Sequence, residues 1–467
     1  MRRRLLLVAA PVLAMGGCTL GPAYERPEVD VPARFAATPE TAEAAWPAAE
    51  WWRGFGSPEL DGLIAAARLY NTDLAAAAAR IVQADAQVGI SSAPLLPAIQ
   101  GTSRADYQRS GNSRGGLPGG KRYIDSRTYQ IGPNISYDLD FWGRNRALAQ
   151  AAQASAVASR FDQETVALNV VTSVAQTYFQ LLAGQDRLGV AQRNLADAER
   201  ILGAFRARLS VGTANALDVS QQETLVANQR AIIPSLRNNA EQQRIGLGIL
   251  VGRPPERLDV AGGTLEKLQL PPVTPGLPST LLTRRPDVAQ AEAQLVSENA
   301  NIRAARAAFF PTISLTASGG LTSAALSTLT GPGTLVAALG ASLTQSIFDN
   351  GLRQGQLDQA RGRYDELLAG YRRTTLQAFT DTEQSLVAFQ YTTEQEALTR
   401  EAVAVAQRSA EIARAQLAAG TIDIITSLNT QTTLFNDLDT LTQVRLSRFQ
   451  ALLNLYKALG GGWVGPQ

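Results

Sequence analysis

Apolar residues recur along much of the chain at the spacing of packed helices. Within 143–209 they step by four and three residues and later by seven, which is the seam of a coiled coil. This stretch holds no proline and is too long for one helix of a compact domain. The spacing predicts long helices packed against other helices; its first part is Val157, Phe161, Glu164, Leu168, Val171, Ala175, Tyr178 and Leu182.

The helical stretch occurs twice. Gly143 and Gly252 of the first copy correspond to Gly351 and Gly460 of the second at the same offset of 208 residues (351 − 143 and 460 − 252). Such self-similarity indicates an internal duplication. It predicts a first repeat at 58–252, with a helix, strands at about 98–108 and 128–141, and long helices at 143–209 and 215–250. A linker at 253–279 leads to a second repeat at 280–460, with a helix, strands at about 312–319 and 334–347, long helices at 351–417 and 423–459, and a tail at 461–467.

Helix boundaries follow from capping residues and prolines. Ser57 before Pro58 predicts a helix start, and we expect that helix to run to about Ser92. Pro234 lies inside the return helix 215–250, where we expect a kink, because proline cannot donate the helical hydrogen bond.

Four short stretches alternate apolar and polar residues instead. Ile131, Ile135 and Tyr137, for example, alternate with Asn134 and Ser136, which predicts strands with one apolar face. One interpretation is an antiparallel sheet on a soluble core; the other is a membrane barrel with a wet interior. Four strands cannot close a barrel, which needs at least about eight, and lipid forbids open sheet edges. In the barrel interpretation, several copies of the chain must therefore pool their strands.

The first residues indicate export. Arg2 to Arg4, an apolar run from Leu5 to Leu13 and two glycines precede Cys18, the only cysteine. An ordinary signal peptide is one interpretation. The other, which we favour, is a signal peptide at 1–17 followed by lipid modification of Cys18 and an extended, lipid-anchored segment at 18–57. This interpretation favours the barrel over the soluble sheet.

Composition excludes several kinds of chemistry. The net charge is +2, so no strong field favours nucleic acid as a partner. The chain has no histidine and one cysteine, which excludes histidine-based catalysis, zinc sites and disulfides within the chain. We expect no enzymatic activity, no metal and no cofactor.

The two long helical hairpins turn at matching positions. Gly212-Thr213 and Gly420-Thr421 follow the outgoing helices, with Asn215 and Asp423 placed to cap the return helices. Turn geometry alone is one reason for the glycines. Arg206, Arg208, Arg414 and Asp423 are candidates for salt bridges near these tips.

Three stretches carry a family resemblance: Leu277 to Leu282 with Arg284 to Val288, Ala304 to Pro311, and Asn454 to Trp463. Together they resemble the TolC-like outer-membrane channels, in the lipoprotein branch that serves resistance-nodulation-division (RND) transporters. The resemblance implies a mainly α fold with a transmembrane β part: a homotrimer in which a 12-stranded barrel joins an antiparallel coiled-coil helical barrel. It places the chain in the outer membrane of a Gram-negative bacterium, spanning into the periplasm.

The resemblance also implies roles for the hairpin tips. Gly212, Thr213, Gly420 and Thr421 would dock a periplasmic adaptor protein. Acidic residues of the family's closed end match Thr426 and Asn429, which are not ionised. We therefore consider Asp218 and Asp423 as gate candidates beside them, although Asp423 is also placed to cap a helix and Asp218 to be a solvated first-turn acid.

The implied function is a passive exit duct for drugs or other small molecules, fed by an adaptor and an inner-membrane RND transporter. Two alternatives stay open: the outer channel of a type I protein secretion system, and a non-conducting, lipid-anchored structural coiled coil.

Overall fold

The computed structural model describes residues 21, 23–36, 46–112, 122–274 and 276–465. The expected signal peptide and Cys18 lie outside these residues. The chain divides into two compact units. We call Met1–Pro27, Ile81–Ala158 and Glu292–Ala369 the sheet unit, and Glu28–Arg80, Ser159–Ala291 and Gly370–Gln467 the helical unit.

The sheet unit contains four antiparallel strands in the order β1-β2-β3-β4. They are β1 Ala98–Asn112, β2 Arg122–Leu139, β3 Thr312–Ser323 and β4 Leu335–Thr344. The register aligns the apolar residues, because Tyr137 lies opposite Leu315 and Leu315 lies opposite Ala341. This apolar face is exposed, with Leu339 at 89% of its possible accessibility. The described chain therefore does not form the soluble core that the first interpretation required.

Several strand ends differ from the sequence expectation. β1 and β3 run on to Asn112 and Ser323, beyond the expected 108 and 319, and β2 begins at Arg122, before the expected 128. β2 ends at Leu139 and not at 141, because the Asp140 carboxylate turns away to accept the backbone N–H groups of Asn145 and Arg146, both at 2.8 Å. β4 ends at Thr344 and not at 347; the side chain of the next residue, Gln345, donates to a backbone oxygen outside the strands.

A proline interrupts the pairing of the two central strands. Gly132 and Pro133 of β2 have no partner in β3, because proline has no N–H to donate. Here the two backbones approach closely: a Cβ on Gly132 would collide with the backbone of Gly319 and Gly320, and one on Gly320 with Ile131. Only glycine fits at both positions.

The described part of the chain contains eight α-helices besides the four strands. α3 contains one stretch whose length and composition would suit a membrane span, but 56% of that stretch is buried inside the protein. α4 runs unbroken through Pro234, so the proline at which a kink was expected does not end the helix. The helices are α1 Pro58–Tyr70, α2 Thr72–Ser92, α3 Arg144–Ser210, α4 Ala216–Val251, α5 Pro278–Leu281, α6 Pro286–Ala307, α7 Leu352–Ala419 and α8 Ile424–Ala458.

The expectation of one helix from Pro58 to Ser92 was wrong. The chain breaks at Asn71, whose backbone is extended and whose Oδ1 accepts the N–H groups of Asp73 and Leu74 at 2.8 and 3.1 Å. Asn71 thereby caps α2 while its own amide donates to the Leu250 carbonyl oxygen at 2.8 Å. The expected start was confirmed, because Ser57 Oγ accepts the Leu60 N–H.

The helical unit is centred on an aromatic core. Trp51 stacks on Tyr456 with ring centroids 4.8 Å apart, and Phe55 meets Phe179 edge-on at 5.0 Å. Each such pair adds about 1 kcal/mol beyond its buried area. Tyr178 is also buried, which confirms that its seam is a packing surface.

The linker between the repeats is tied to this core through side chains. The Glu59 carboxylate accepts the Ala261 N–H at 2.8 Å, and Asp186 accepts the Leu265 N–H at 2.9 Å. Burial raises the pKa of Asp186, while its hydrogen bonds from Thr264 and Leu265 oppose that shift. These contacts fix the course of a segment that has little regular structure of its own.

Candidate functional site

The first hairpin tip joins α3 to α4 through a left-handed glycine. Gly212 has φ +78°, and the Thr213 N–H and hydroxyl both donate to the Arg208 carbonyl oxygen, at 2.9 and 3.1 Å. Asn215 then caps α4 by accepting the Asp218 N–H at 2.8 Å, and the Asp218 carboxylate accepts the Asn215 N–H in return. The half-buried Asp218 is thus part of a capping box.

The second tip, from α7 to α8, repeats this construction. Gly420 has φ +74°, and Thr421 donates twice to the Gln416 carbonyl oxygen, at 2.9 and 3.1 Å. Asp423 caps α8 by accepting the Thr426 N–H at 2.7 Å. Hydrogen bonds from the backbone and side chain of Thr426 hold the pKa of Asp423 below its usual value. This acid is therefore ionised at neutral pH.

The tip glycines face open space. A Cβ added to Gly212 or Gly420 would have no described atom within 4 Å, so local crowding is not the reason for glycine. The positive φ is the reason within the chain itself. The consequence is a bare stretch of backbone at each tip.

The two tips belong to one packed unit. Ile424, the first residue of α8, is buried in a cluster with Phe205 of α3 and Val219 of α4. The second hairpin therefore contributes an apolar side chain to the core of the first. Ala198, Leu202 and Val226 complete the buried cluster.

Polar bonds also cross between the hairpins. Arg208 of α3 donates to the Leu417 carbonyl oxygen at the end of α7, at 3.3 Å. Arg187 of α3 pairs with Asp439 of α8 through two bonds of 2.6 and 3.1 Å. The latter pair was not expected from the sequence, because neither residue is kept in the other repeat: the matching positions are Gln395 and Ala231.

The gate candidates occupy different surroundings. Asp218 and Asp423 are each engaged at the start of their own helix, whereas Thr426 and Asn429 lie exposed on the first turns of α8. Of the salt-bridge candidates, Arg206 pairs with Glu223 of its own hairpin, and Asp423 serves as a cap.

The two repeats match one known family. A family model described as "outer membrane efflux protein" matches residues 63–253 and 277–461, one match for each repeat. The chain belongs to the outer membrane efflux protein family.

Known relatives agree over nearly the whole length. The pyoverdine export outer membrane protein OpmQ of Pseudomonas aeruginosa is 38% identical over 467 residues, covering 99% of this chain and 97% of the relative. The cation efflux system protein CusC of Escherichia coli is 30% identical, covering 98% of this chain and 99% of the relative. The open-state structure of the MtrE outer membrane channel of Neisseria gonorrhoeae superposes with a TM-score of 0.85 at 30% identity, covering 95% of this chain and 98% of that structure.

Membership confirms the expected fold class, efflux function and outer-membrane location. The family consists of channels that form trimers and work with adaptors and inner-membrane transporters, and its members are not enzymes as a class. The exposed apolar face and open edges of the sheet suit a shared barrel. The non-conducting tether is therefore set aside.

Proposed function

We propose that three copies of this chain, anchored through a lipid on Cys18, form the passive exit duct of an RND-type tripartite pump. A 12-stranded barrel would cross the outer membrane, and the hairpin tips would receive small molecules from a periplasmic adaptor and its inner-membrane transporter. The observation that carries the proposal is the pair of like-built tips, each with a bare glycine backbone facing open space.

Docking at the tips follows from their local geometry. Without a Cβ at Gly212 or Gly420, a helical hairpin of another protein can approach the backbone closely, as small residues permit wherever helices pack tightly. The hydroxyls of Thr213 and Thr421 hold the turns in shape by bonding back to the outgoing helix. Each chain would thus offer the adaptor two preformed docking positions, one at each hairpin tip.

The same tips would carry the periplasmic gate. Asp218 and Asp423 would supply negative charge, while Thr426 and Asn429 would line the neighbouring level of the duct with neutral polar groups. Such an end would attract cations less strongly than one with ionised groups at all four positions.

The cargo is expected to be set by the partner transporter. The related proteins are named for pyoverdine export, cation efflux and toluene efflux, which have no chemistry in common. Related ducts that serve such unlike cargoes favour a conduit without a specific binding site. Gene deletion with the neighbouring genes intact, followed by a susceptibility screen over dyes, detergents, antibiotics and metals, tests this proposal. Loss of an exported protein with unchanged susceptibility would instead indicate type I secretion.

Docking is tested by Gly212→Asn and Gly420→Asn. Asparagine tolerates a positive φ, so the turns should form while a side chain fills the open space. We expect the trimer to keep its Tm but to lose crosslinking to the adaptor and to restore drug susceptibility. Gly333→Asn is the matched control, because Gly333 has φ +83° and open space on the β3–β4 turn. Equal effects of the control and the tip variants would refute docking at the tips.

A further inference from the structure

The β1–β2 hairpin extends well beyond the rest of the sheet. The last rung between β2 and β3 joins Tyr129 to Ser323, whereas β2 begins at Arg122 and pairs there with β1. Residues 122–128 thus have only β1 as a partner, and at about 3.3 Å per residue they form an overhang of roughly 23 Å. We call 106–112 with 122–128 the overhang.

The overhang lies at the outer end of the sheet. Helices α2 and α6 lead into β1 and β3, and β2 and β4 lead into α3 and α7, so the α-helical connections of the described chain are at the other end. In an outer-membrane channel that spans into the periplasm, the end away from the helices faces outward. The overhang therefore stands at the cell surface.

One face of the overhang continues the apolar face of the sheet. Opposed residues share a face, and the face that carries Tyr137, Ile131 and Leu321 passes next through Tyr129. From Leu139 to Ile131 the apolar part covers about 27 Å of strand, or some 20 Å of height at a tilt near 40°, which suits a bilayer core. The next residues on this face stand at the level of lipid headgroups.

Those residues form an organised cluster of arginines and tyrosines. The Arg109 guanidinium lies 5.0 Å from the Tyr123 ring centre and 3.1 Å from the Asp125 carboxylate. Arg127 lies 5.8 Å from the ring centre of Tyr107, its partner across the hairpin. Each guanidinium group thus lies against a tyrosine ring, and the cluster is about half exposed: Tyr107 59%, Arg109 58%, Tyr123 51% and Asp125 47%.

The β3–β4 hairpin, which corresponds to β1–β2 in the second repeat, lacks these charged residues at its turn. Positions 108–128 contain five basic residues and one acid, whereas the equivalent turn region 320–338 has no charged residue. Positions 108–128 thus have a net charge of +4, or +3 when Asp106 at the base of the overhang is included, in a chain whose total is +2. The basic residues are Arg109, Arg114, Lys121, Arg122 and Arg127, and the acid is Asp125.

We propose that the outward face of the overhang binds the phosphate groups of phosphorylated lipids in the outer leaflet. Arginine presents paired N–H donors that match a phosphate, and the neighbouring tyrosines are the side chains favoured where hydrocarbon meets headgroups. The two arginines stand directly above the apolar face, so a lipid could place its chains on Ile131 and Leu321 and its phosphate against Arg109 and Arg127. The ligand is a membrane lipid and not free phosphate, because the apolar and basic surfaces are continuous.

The test measures phosphorylated lipid retained by the full-length trimer. Trimers are reconstituted in phosphatidylethanolamine vesicles with diphosphorylated or dephosphorylated lipid A, re-extracted, and the lipid A per trimer is counted by native mass spectrometry. We expect preferential retention of the diphosphorylated form, falling about fivefold for each arginine replaced in Arg109→Gln and Arg127→Gln. Millimolar inorganic phosphate should not displace the lipid.

Arg104→Gln is the matched control. Arg104 is exposed and paired with an acid on the same strand, as Arg109 is paired with an acid across the hairpin, but it lies on the polar face. Equal retention of both lipid A forms by the native trimer overturns the proposal without any variant. Equal loss in Arg104→Gln, or displacement by inorganic phosphate, also overturns it. Adaptor crosslinking should be unchanged in all three variants, so this result is separable from docking at the tips.

Discussion

Arg414 on α7 binds Asp197 on α3 across the two hairpins, with 3.2 Å between the guanidinium nitrogen and the carboxylate oxygen. Its counterpart one repeat earlier, Arg206, binds Glu223 within its own hairpin at 2.7 Å. The duplication explains the difference, because the position that matches Glu223 is Gln431, which carries no charge. The same arginine position therefore makes a bond within its hairpin in the first repeat and a bond between the hairpins in the second.

We expect Arg414→Gln to loosen the periplasmic end of the duct. Both groups of this ion pair are about one-third exposed, so its loss should lower the unfolding free energy by only about 0.5 kcal/mol. Its effect should appear in the gate, as a higher open probability of single trimers in planar bilayers. Arg206→Gln removes the same charge but no link between hairpins and serves as the control. An unchanged open probability in Arg414→Gln would contradict a latch at this position.

Glu396 should be the most costly acid to neutralise. Its side chain is 4% exposed and accepts bonds from Arg400, Arg445 and Arg448 at 2.7, 3.2 and 3.0 Å. Glu396→Gln removes the negative charge that three guanidinium groups share, which should lower the unfolding free energy by about 3 kcal/mol. Thermal unfolding of the trimer, with the exposed Glu394→Gln as control, measures the difference.

The cost of Glu396→Gln should depend on pH. Burial raises the pKa of Glu396, but the hydrogen bonds from Arg448 and Arg445 outweigh burial and hold it below its usual value. A lowered pKa stabilises the fold above the unfolded value of about 4.3, and this stabilisation disappears as the pH falls through the folded pKa. The difference in Tm between native and variant trimers should therefore be full at pH 7 and shrink below pH 4. A constant difference would contradict this account.

Gly132→Ala should prevent formation of stable trimers. A Cβ at this position collides with the backbone of Gly319 and Gly320, and a backbone cannot move aside as a flexible side chain can. Gly101→Ala is the control, because Gly101 lies opposite Pro133 on the neighbouring strand with open space around it. Heat-resistant trimer bands on a denaturing gel should disappear in the first variant and persist in the second.

Two substitutions of Asp423 can separate the effect of its helix cap from the effect of its charge. Asp423→Asn keeps an acceptor for the Thr426 N–H, whereas Asp423→Ala removes it, so only the alanine variant should lower the Tm. Both variants should shift the reversal potential toward lower cation selectivity if this carboxylate faces the duct. A shift in the alanine variant alone would assign the residue a capping role only.

Periodicity was sufficient for much of the fold. The apolar seam around Tyr178 and Phe205 predicted long packed helices, and strict alternation in the strands predicted a sheet with one apolar face. The break at Asn71 was missed because a capping side chain ends one helix and starts the next without a proline or glycine at that point. Trimer number and adaptor docking came from family resemblance, since no spacing within one chain counts its copies.

The site was less predictable than the fold. Glycine and threonine placed the tips correctly, because positive φ has a strong sequence signal. The contacts between the hairpins had no such sequence signal, because Arg187 and Asp439 are 252 positions apart and each occurs in one repeat only. The overhang was also missed, because charged residues interrupt the alternation beyond Tyr107 and hid the continuation of β1 to Asn112.

The two unpaired edges of the sheet have a consequence for biogenesis. A newly exported chain has the exposed Leu339 and Leu343 on β4, an edge strand of the described sheet whose outer N–H and C=O groups have no neighbouring strand to bond with. Until three such chains meet in lipid, each is a template for misassembly in the aqueous periplasm. Delivery must therefore be escorted or fast, and overproduction should overload the export and insertion machinery before it increases the number of working pumps.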